Sequence, residues 1–282
     1  MSYLAHLLER RIKRYGLGGS LIRLLSQFHD LSIYYGYPDK ALSSIRRFIS
    51  VAQRFDVRVT VPIVSLVACR YADLVREIVN MGHEVACHGL IHALYDKMAF
   101  NDQLSHFKMA KALLEEVSEV KIVGSRLPYS RFNEGTHMAL ARAGFKYDSS
   151  MRANSKPLPS ILKFDGVEIL EIPWFAADDV IIDELHFSPS QMLLLWVNKL
   201  RLANPGEVFV FDLHPVRMGR YPYVSVLHGL LSFAKDNNID VLCLEEVYRN
   251  RFRLGKAPVL VISGDVDCLR VHDFILRIFK LA

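Results

Sequence analysis

Two short stretches of the sequence combine residues that can hold and use a metal ion. His88 and His92 lie four residues apart where a predicted strand ends. On a helical turn this spacing places both imidazoles on one face, within reach of one divalent cation. Asp265 and Asp267 follow an apolar run, and in an extended chain their spacing directs both carboxylates to the same side. One carboxylate would then bind the cation while the other accepts a proton from water.

Two further polar stretches also follow predicted strands. Asp212 and His214 come after the apolar run that begins at Phe209, and Arg126 and Tyr129 flank Leu127 and Pro128. A histidine at a strand end can act as a general acid, and an arginine beside carboxylates keeps them ionised and oriented. Each of these stretches, taken singly, is more often structural than catalytic.

The elements that must position these residues alternate between strands and helices. Strands are predicted at residues 30–35, 58–61, 83–87, 121–124, 167–172, 207–213, 240–244 and 258–263. Amphipathic helices separate most of them, including one that Pro38 opens and one that Ser188 caps. This order predicts an α/β fold, a distorted TIM-like (β/α) barrel of seven or eight parallel strands, with an open doubly wound sheet as the alternative. In such a barrel the site lies at the C-terminal ends of the strands.

Composition sets the remaining limits. With 282 residues, 51% of them hydrophobic, the chain is expected to form a single domain over 1–282, with a basic helical extension at 1–29. The net charge of +5 is concentrated in residues 1–60, which would allow peripheral contact with an anionic membrane. No nucleic-acid motif is present. No stretch is apolar enough to span a bilayer and the four cysteines are scattered, so we predict a cytoplasmic protein.

Five stretches, in this order, resemble the polysaccharide deacetylases of the NodB-homology class, carbohydrate esterase family four. GHEVACHGLIH resembles the metal-binding motif of that family, and SRLPY resembles its arginine motif. AGFKYDSS, EIPWFAADD and FDLHP resemble the later segments. The resemblance spans roughly residues 30–250.

The resemblance implies a hydrolase that removes an acetyl group from an acetylated sugar or glycan precursor. It implies one divalent metal ion, Zn²⁺, held by His88 and His92. It also implies a proton donor at His214, supported by Asp178 or Asp179. The remaining implied site residues are an arginine that orients the base, a backbone N–H for the oxyanion and a tryptophan that lines the sugar pocket: Arg126, Tyr129 and Trp174.

The chain departs from the family at the first motif. Residues 32–36 read Ser-Ile-Tyr-Tyr-Gly, without the acidic pair that the family has there. The stretch Ser-Gly-Asp-Val-Asp, on the last predicted strand, is similar to one form of that motif. In a closed barrel the last strand neighbours the first. We therefore predict that Asp267 is the third metal ligand and that Asp265 is the base.

Two alternatives stay open. A catalytically degenerate barrel would bind a sugar or a partner, and it predicts that residues 263–268 lie away from the histidines. A related metal-dependent hydrolase would act on a cyclic amide or another carbon–nitrogen bond.

Overall fold

The computed structural model describes residues 37–154, 156–251, 255–270 and 273. The strand predicted at 30–35 and the extension predicted at 1–29 lie outside the described residues. None of the helices in the described ranges is long and apolar enough to cross a membrane. The predicted cytoplasmic location and membrane contact therefore stay predictions.

Strands and helices alternate along most of the described chain. The strands are β1 Thr60–Ile63, β2 Glu84–Cys87, β3 Gly124–Ser125, β4 Tyr147–Asp148, β5 Ser160–Phe164, β6 Val167–Glu171, β7 Trp174–Ala177, β8 Val208–Asp212, β9 Asp240–Val241 and β10 Val259–Ser263. The helices are α1 Pro38–Arg54, α2 Ser65–Arg70, α3 Ala72–Asn80, α4 Phe100–Ser118, α5 Glu134–Arg142, α6 Pro189–Leu200, α7 Pro215–Met218, α8 Val224–Asp236 and α9 Leu244–Asn250. Single helical turns of other types occur at Tyr95–Lys97, Pro128–Ser130 and Val180–Glu184.

The described strands form one curled sheet in the order β5-β6-β4-β3-β2-β1-β10-β8-β7, with β9 paired to β10. Every pair is parallel except β5 with β6, which form an antiparallel hairpin at one edge. A parallel bridge between Arg152 and Trp174 joins the segment after β4 to β7, at the other end of the order. The predicted (β/α) barrel is confirmed, with one antiparallel strand that the sequence did not indicate.

The position of β10 decides where the C-terminal carboxylates lie. β10 pairs with β8 along its whole length, from Val259 opposite Val208 to Ser263 opposite Asp212, and its last residue pairs with Thr60 of β1. A strand from late in the sequence therefore occupies the middle of the sheet. Its C-terminal end opens onto the same edge as those of β1 and β8.

Alternation along the strands separates two apolar regions. Side chains of one face, such as Val210 and Val261, pack inside the curled sheet. Side chains of the other face pack against the helices, where α1 contributes Ile45, Phe48 and Ala52 at the predicted helical spacing. Polar side chains just past the strand ends continue this alternation, so each of them points either into the curled sheet or toward the helices.

Candidate active site

Asp267 lies between the two histidines that were predicted to bind a metal. Its Oδ1 is 3.2 Å from Nε2 of His88, and its Oδ2 is 3.3 Å from Nε2 of His92. All three side chains are buried, with exposed fractions of 2% for His88, 5% for His92 and 8% for Asp267. Their potential ligand atoms lie within 4.8 Å of one another. We call these three residues the mouth cluster, because they lie at the C-terminal ends of the parallel strands.

Backbone hydrogen bonds carry the path of β10 past its last residue. The N–H of Gly264 donates to the carbonyl of Thr60, and the N–H of Val266 donates to the carbonyl of Pro62, both at 2.8 Å. On the other side the N–H of Leu213 donates to the carbonyl of Ser263, also at 2.8 Å. The segment 263–267 is therefore held between two neighbouring strands, and its aspartates have fixed positions.

Gly264 permits this close packing. A Cβ at this position would lie 2.8 Å from the carbonyl oxygen of Leu213 and 2.7 Å from the ring of Pro215. Real Cβ atoms do not come so close to a backbone oxygen, so any larger residue would displace the strand end. The glycine thus lets Asp265 and Asp267 approach the segment that carries His214.

The backbone around the histidines differs from the helical turn that their spacing suggested. Residues 88–93 form a bent loop after β2, and Gly89 has a φ of +82°. The N–H of His88 donates to the carbonyl of Ile63, which fixes the start of the loop. The loop nevertheless brings the ring centroids of His88 and His92 to 5.2 Å.

The mouth cluster fits a divalent cation. Nδ1 of His88 lies 2.8 Å from the backbone carbonyl of Arg126, which can only accept a hydrogen bond, so Nδ1 carries the proton. In neutral His88 the lone pair of Nε2 then faces an oxygen of Asp267, an arrangement that a shared cation stabilises. A backbone carbonyl that orients a ligand imidazole in this way is typical of metal sites.

Arg126 is fully buried and lies between two carboxylates. Its guanidinium is 2.8 Å from Oδ1 of Asp212 and 3.6 Å from Oδ1 of Asp265. Its Nε and one terminal nitrogen donate to the backbone carbonyl and the hydroxyl of Ser149. The predicted contact of Arg126 with Asp265 is present in the structure, and Asp212 is a partner that the sequence did not predict.

Electrostatics around Arg126 follow from this burial. Burial lowers the pKa of the Arg126 guanidinium, but Asp212 and Asp265 outweigh it, so the net pKa is above the ordinary value. Burial raises the pKa of Asp212 to about 6, and the nearby Asp265 adds to this rise, while Arg126 opposes it. Near neutral pH the Arg126 guanidinium therefore keeps its positive charge, and it lies next to both Asp212 and Asp265.

His214 and Asp178 form a second pair at the same edge. Nδ1 of the His214 ring is 2.6 Å from Oδ1 of Asp178. The backbone N–H of His214 donates to Oδ2 of the same carboxylate at 3.1 Å. Burial lowers the pKa of His214, but Asp178 raises it to well above its ordinary value. The adjacent Asp179 instead accepts a hydrogen bond from the N–H of Val180. Of the two candidate aspartates, Asp178 is the one in contact with His214.

The two predicted substrate-contacting residues occupy different surroundings. The ring of Tyr129 meets that of His92 edge to face at 4.4 Å, and 45% of the tyrosine is exposed. Trp174 is half-buried against the apolar interior of the sheet, and its Nε1 donates to the carbonyl of Ser150. The guanidinium of Arg152 lies 5.3 Å from its ring. Tyr129 therefore borders the mouth cluster directly, whereas Trp174 is partly a packing residue.

Part of the sequence matches a known protein family. Residues 29–147 match the family model of the polysaccharide deacetylases. Over this range, which is less than half of the chain, the sequence is similar to the polysaccharide deacetylases. This confirms the predicted resemblance, and the match supports removal of an acetyl group from a sugar as the chemistry of the site. The matched range includes His88, His92, Arg126 and Tyr129 but none of the later site residues. No curated protein matches the sequence closely enough to count as a relative.

Solved structures show the same fold. A protein from Mycobacterium smegmatis assigned to the polysaccharide deacetylases is 23% identical, with a TM-score of 0.64 over 76% of this chain and 79% of its own. Puue allantoinase is 19% identical, with a TM-score of 0.66 over 81% and 75%. A CE4 family pseudoenzyme from Bacillus anthracis is 14% identical, with a TM-score of 0.55 over 83% and 72%.

Proposed function

We propose that this protein is a metal-dependent deacetylase that hydrolyses the acetyl group of an acetylated amino sugar in a glycan precursor. One observation carries the proposal. The last described strand brings Asp267 to 3.2 and 3.3 Å from the two histidines, although the sequence lacks acidic residues at the usual first motif. The alternative of a degenerate barrel predicts that this segment lies away from the histidines. In the structure, Asp267 of this segment lies beside them.

His88, His92 and Asp267 would hold the cation, which we propose to be Zn²⁺ because two imidazoles and one carboxylate suit that ion. When bound, a divalent cation supplies a Lewis acid that polarises the acetyl carbonyl and makes water more acidic. The protein residues around it would manage the protons.

Asp265 would take the proton from the attacking water. It lies next to the mouth cluster, with Oδ2 at 3.7 Å from Nδ1 of His88, and it faces Arg126 on its other side. The fixed positive charge of Arg126 would orient this carboxylate. Asp212 holds the same guanidinium at 2.8 Å and so helps to fix its place.

His214 would donate a proton to the departing sugar nitrogen or oxygen as its bond to the acetyl carbon breaks. Asp178 raises the pKa of His214 well above the ordinary value, which favours the protonated imidazole. Its side chain is 31% exposed, which leaves it accessible from the open edge. A protonated imidazole at this position supplies the general acid.

Tyr129 and Trp174 would contact the substrate. The Tyr129 backbone has a left-handed conformation, with a φ of 59° and a ψ of 9°, beside the ring of His92. We propose that its N–H stabilises the oxyanion that forms when water adds to the carbonyl. The partly exposed ring of Trp174 would stack on a sugar face.

The test measures metal content and acetate release from an N-acetylated amino-sugar oligomer. We expect H88A and D267A each to bind one divalent ion fewer per chain than the wild type and to release no acetate. D165A, which removes an exposed carboxylate, is the matched control and should keep the metal content and the acetate release of the wild type.

Two outcomes would favour the alternatives. Metal binding without acetate release, together with tight sugar binding, would support a degenerate barrel. Release of product from a cyclic amide, without acetate release, would support the carbon–nitrogen hydrolase that the structural likeness to an allantoinase suggests. If D267A changes neither metal content nor activity, the role proposed for the C-terminal aspartates is wrong.

A further inference from the structure

A second cluster of one histidine and two carboxylates lies outside the active site. His137 projects from α5, Asp148 ends β4 and Glu171 ends β6. The side chains of Asp148 and Glu171 are 0% and 1% exposed, and that of His137 is 6% exposed. The mechanism proposed above uses none of them. We call these residues the wall cluster, because they lie between the sheet and the helix that covers it.

The geometry around His137 is more than an ion pair requires. Its Nε2 lies 3.1 Å from Oε2 of Glu171 and 3.3 Å from Oδ2 of Asp148. A single N–H can point well at only one of these oxygens, and only the Glu171 contact has hydrogen-bond geometry. Three ligand atoms that converge on one point, within 4.8 Å of one another, are what a cation with ligand distances of about 2.0–2.2 Å requires.

The remaining carboxylate oxygens are held in place by neutral donors. The hydroxyl of Ser125 donates to Oδ1 of Asp148 at 2.7 Å, and the N–H of Met151 donates to Oε1 of Glu171 at 2.8 Å. These hydrogen bonds leave one oxygen of each carboxylate directed at His137. Outer hydrogen bonds that orient ligands in this way are a regular feature of protein metal sites.

Protons would occupy the wall cluster when no cation is bound. Burial and the nearby Asp148 raise the pKa of Glu171 to about 8 against the opposing effect of His137, so this carboxyl is mostly protonated at pH 7. Burial lowers the pKa of His137, but Asp148 and Glu171 raise it to about 10. A divalent cation bound by a neutral imidazole and two carboxylates would replace these two protons and also leave the cluster neutral.

We propose that His137, Asp148 and Glu171 form a second divalent-cation site, of the nitrogen and oxygen class that takes Zn²⁺, which stabilises the barrel wall. This site binds metal independently of the mouth cluster and does not touch the substrate. The proposal does not depend on the deacetylase activity, because its test counts metal and measures stability.

The experiment loads the full chain with Zn²⁺, removes excess metal by gel filtration and measures zinc per chain. We expect about two ions in the wild type, one in the H88A/H92A double variant and one in E171Q. E171Q keeps the side-chain shape and its hydrogen bond from Met151, so its fold should survive. H137Q is the second wall variant, and H228Q, which changes a histidine outside both clusters, is the control that should keep two ions.

Thermal unfolding supplies the second measurement. In H88A/H92A, Zn²⁺ at about a hundredfold excess over Kd should raise Tm by about 5 °C or more, and E171Q in that background should abolish the shift. The proposal is overturned if H88A/H92A binds no zinc, or if E171Q and H137Q still bind two ions. The wall cluster would then be a proton-sharing ion triad.

Discussion

The mouth cluster and the wall cluster stand on opposite faces of the same sheet. At the end of β3, Ser125 points outward and donates to Asp148, whereas the next residue, Arg126, points inward to Asp212 and Asp265. At the end of β4 the outward Asp148 is likewise followed by the inward Ser149, whose hydroxyl accepts from Arg126. Alternation along a strand therefore assigns neighbouring residues to two different sites.

The difference between the clusters lies in what surrounds them. The mouth cluster borders the partly exposed Tyr129, and His214 at the same open edge is 31% exposed. The wall cluster is covered by α5, and the ring of Phe132 lies 4.8 Å from that of His137. Similar ligand sets thus have different access: one opens toward a substrate, and the other is enclosed by packing. Chemistry is expected at the first and stability at the second.

The largest difference between the two clusters is expected in acetate release, when the proposed base Asp265 is substituted. D265N keeps the side-chain shape but cannot accept a proton from water, so acetate release should fall by about 10³-fold. Metal content should stay unchanged, because His88, His92 and Asp267 remain. H137Q, assayed under the same conditions, should keep acetate release within about threefold of the wild type. Equal losses in the two variants would show that the clusters are not separate in function.

The second comparison measures the free energy of unfolding, which is expected to depend on the wall cluster. D148A removes a fully buried carboxylate from the wall cluster and leaves His137 without one partner, which should lower the free energy of unfolding by about 3–5 kcal/mol. Urea denaturation in the presence of a chelator measures this loss. In a separate assay with divalent metal and without urea or chelator, folded D148A should release acetate at a nearly normal rate. The control D165A should change the free energy of unfolding by less than about 0.5 kcal/mol. Full stability in D148A would refute a structural role for the wall cluster.

The smallest expected effect concerns pH. Asp178 raises the pKa of His214, so the general acid is protonated below that raised pKa and is lost as pH rises through it. D178N removes the negative charge, so the pKa of His214 should fall and the rate should begin to decline at lower pH. Acetate release measured from pH 6 to pH 10 should show about a tenfold loss at pH 8 and less at pH 6. D179N should leave the profile unchanged, since Asp179 caps a helical turn.

Local sequence patterns predicted the barrel and several of the residues that the structure brings together at one edge. The apolar runs of β2, β8 and β10 are each followed by the polar residues that meet at one edge. The strand β4 was missed for a physical reason: it has two residues, too few for a period of two to be visible. The strand predicted at 121–124 corresponds to β3, which is limited to Gly124–Ser125. β5 is an antiparallel edge strand, so its pattern of exposed residues did not indicate a buried parallel strand.

Residues that depend on tertiary register were harder to find. His137 resembles an ordinary polar residue of an amphipathic helix, and its partners are 11 and 34 positions away in the sequence. Asp212 was seen beside His214, but its contact with Arg126 arises only when β8 and β3 are brought to the same edge. The spacing of His88 and His92 was interpreted through a helical turn, whereas the chain forms a bent loop after β2 in which Gly89 has a positive φ. The two imidazoles still lie close together, and the metal site remains a prediction.

The central place of β10 in the sheet has a consequence for how the protein is made. His88 and Asp267 are about 180 residues apart in the sequence. At a ribosomal rate of about 5–20 residues per second, the histidine emerges roughly 10 to 40 s before its aspartate partner. Until β10 emerges, β1 and β8 would each lack one partner strand, and an unpaired strand edge can pair with other chains. We expect newly made chains to depend on chaperones during this interval, and slow elongation near β10 to lower the yield of active protein.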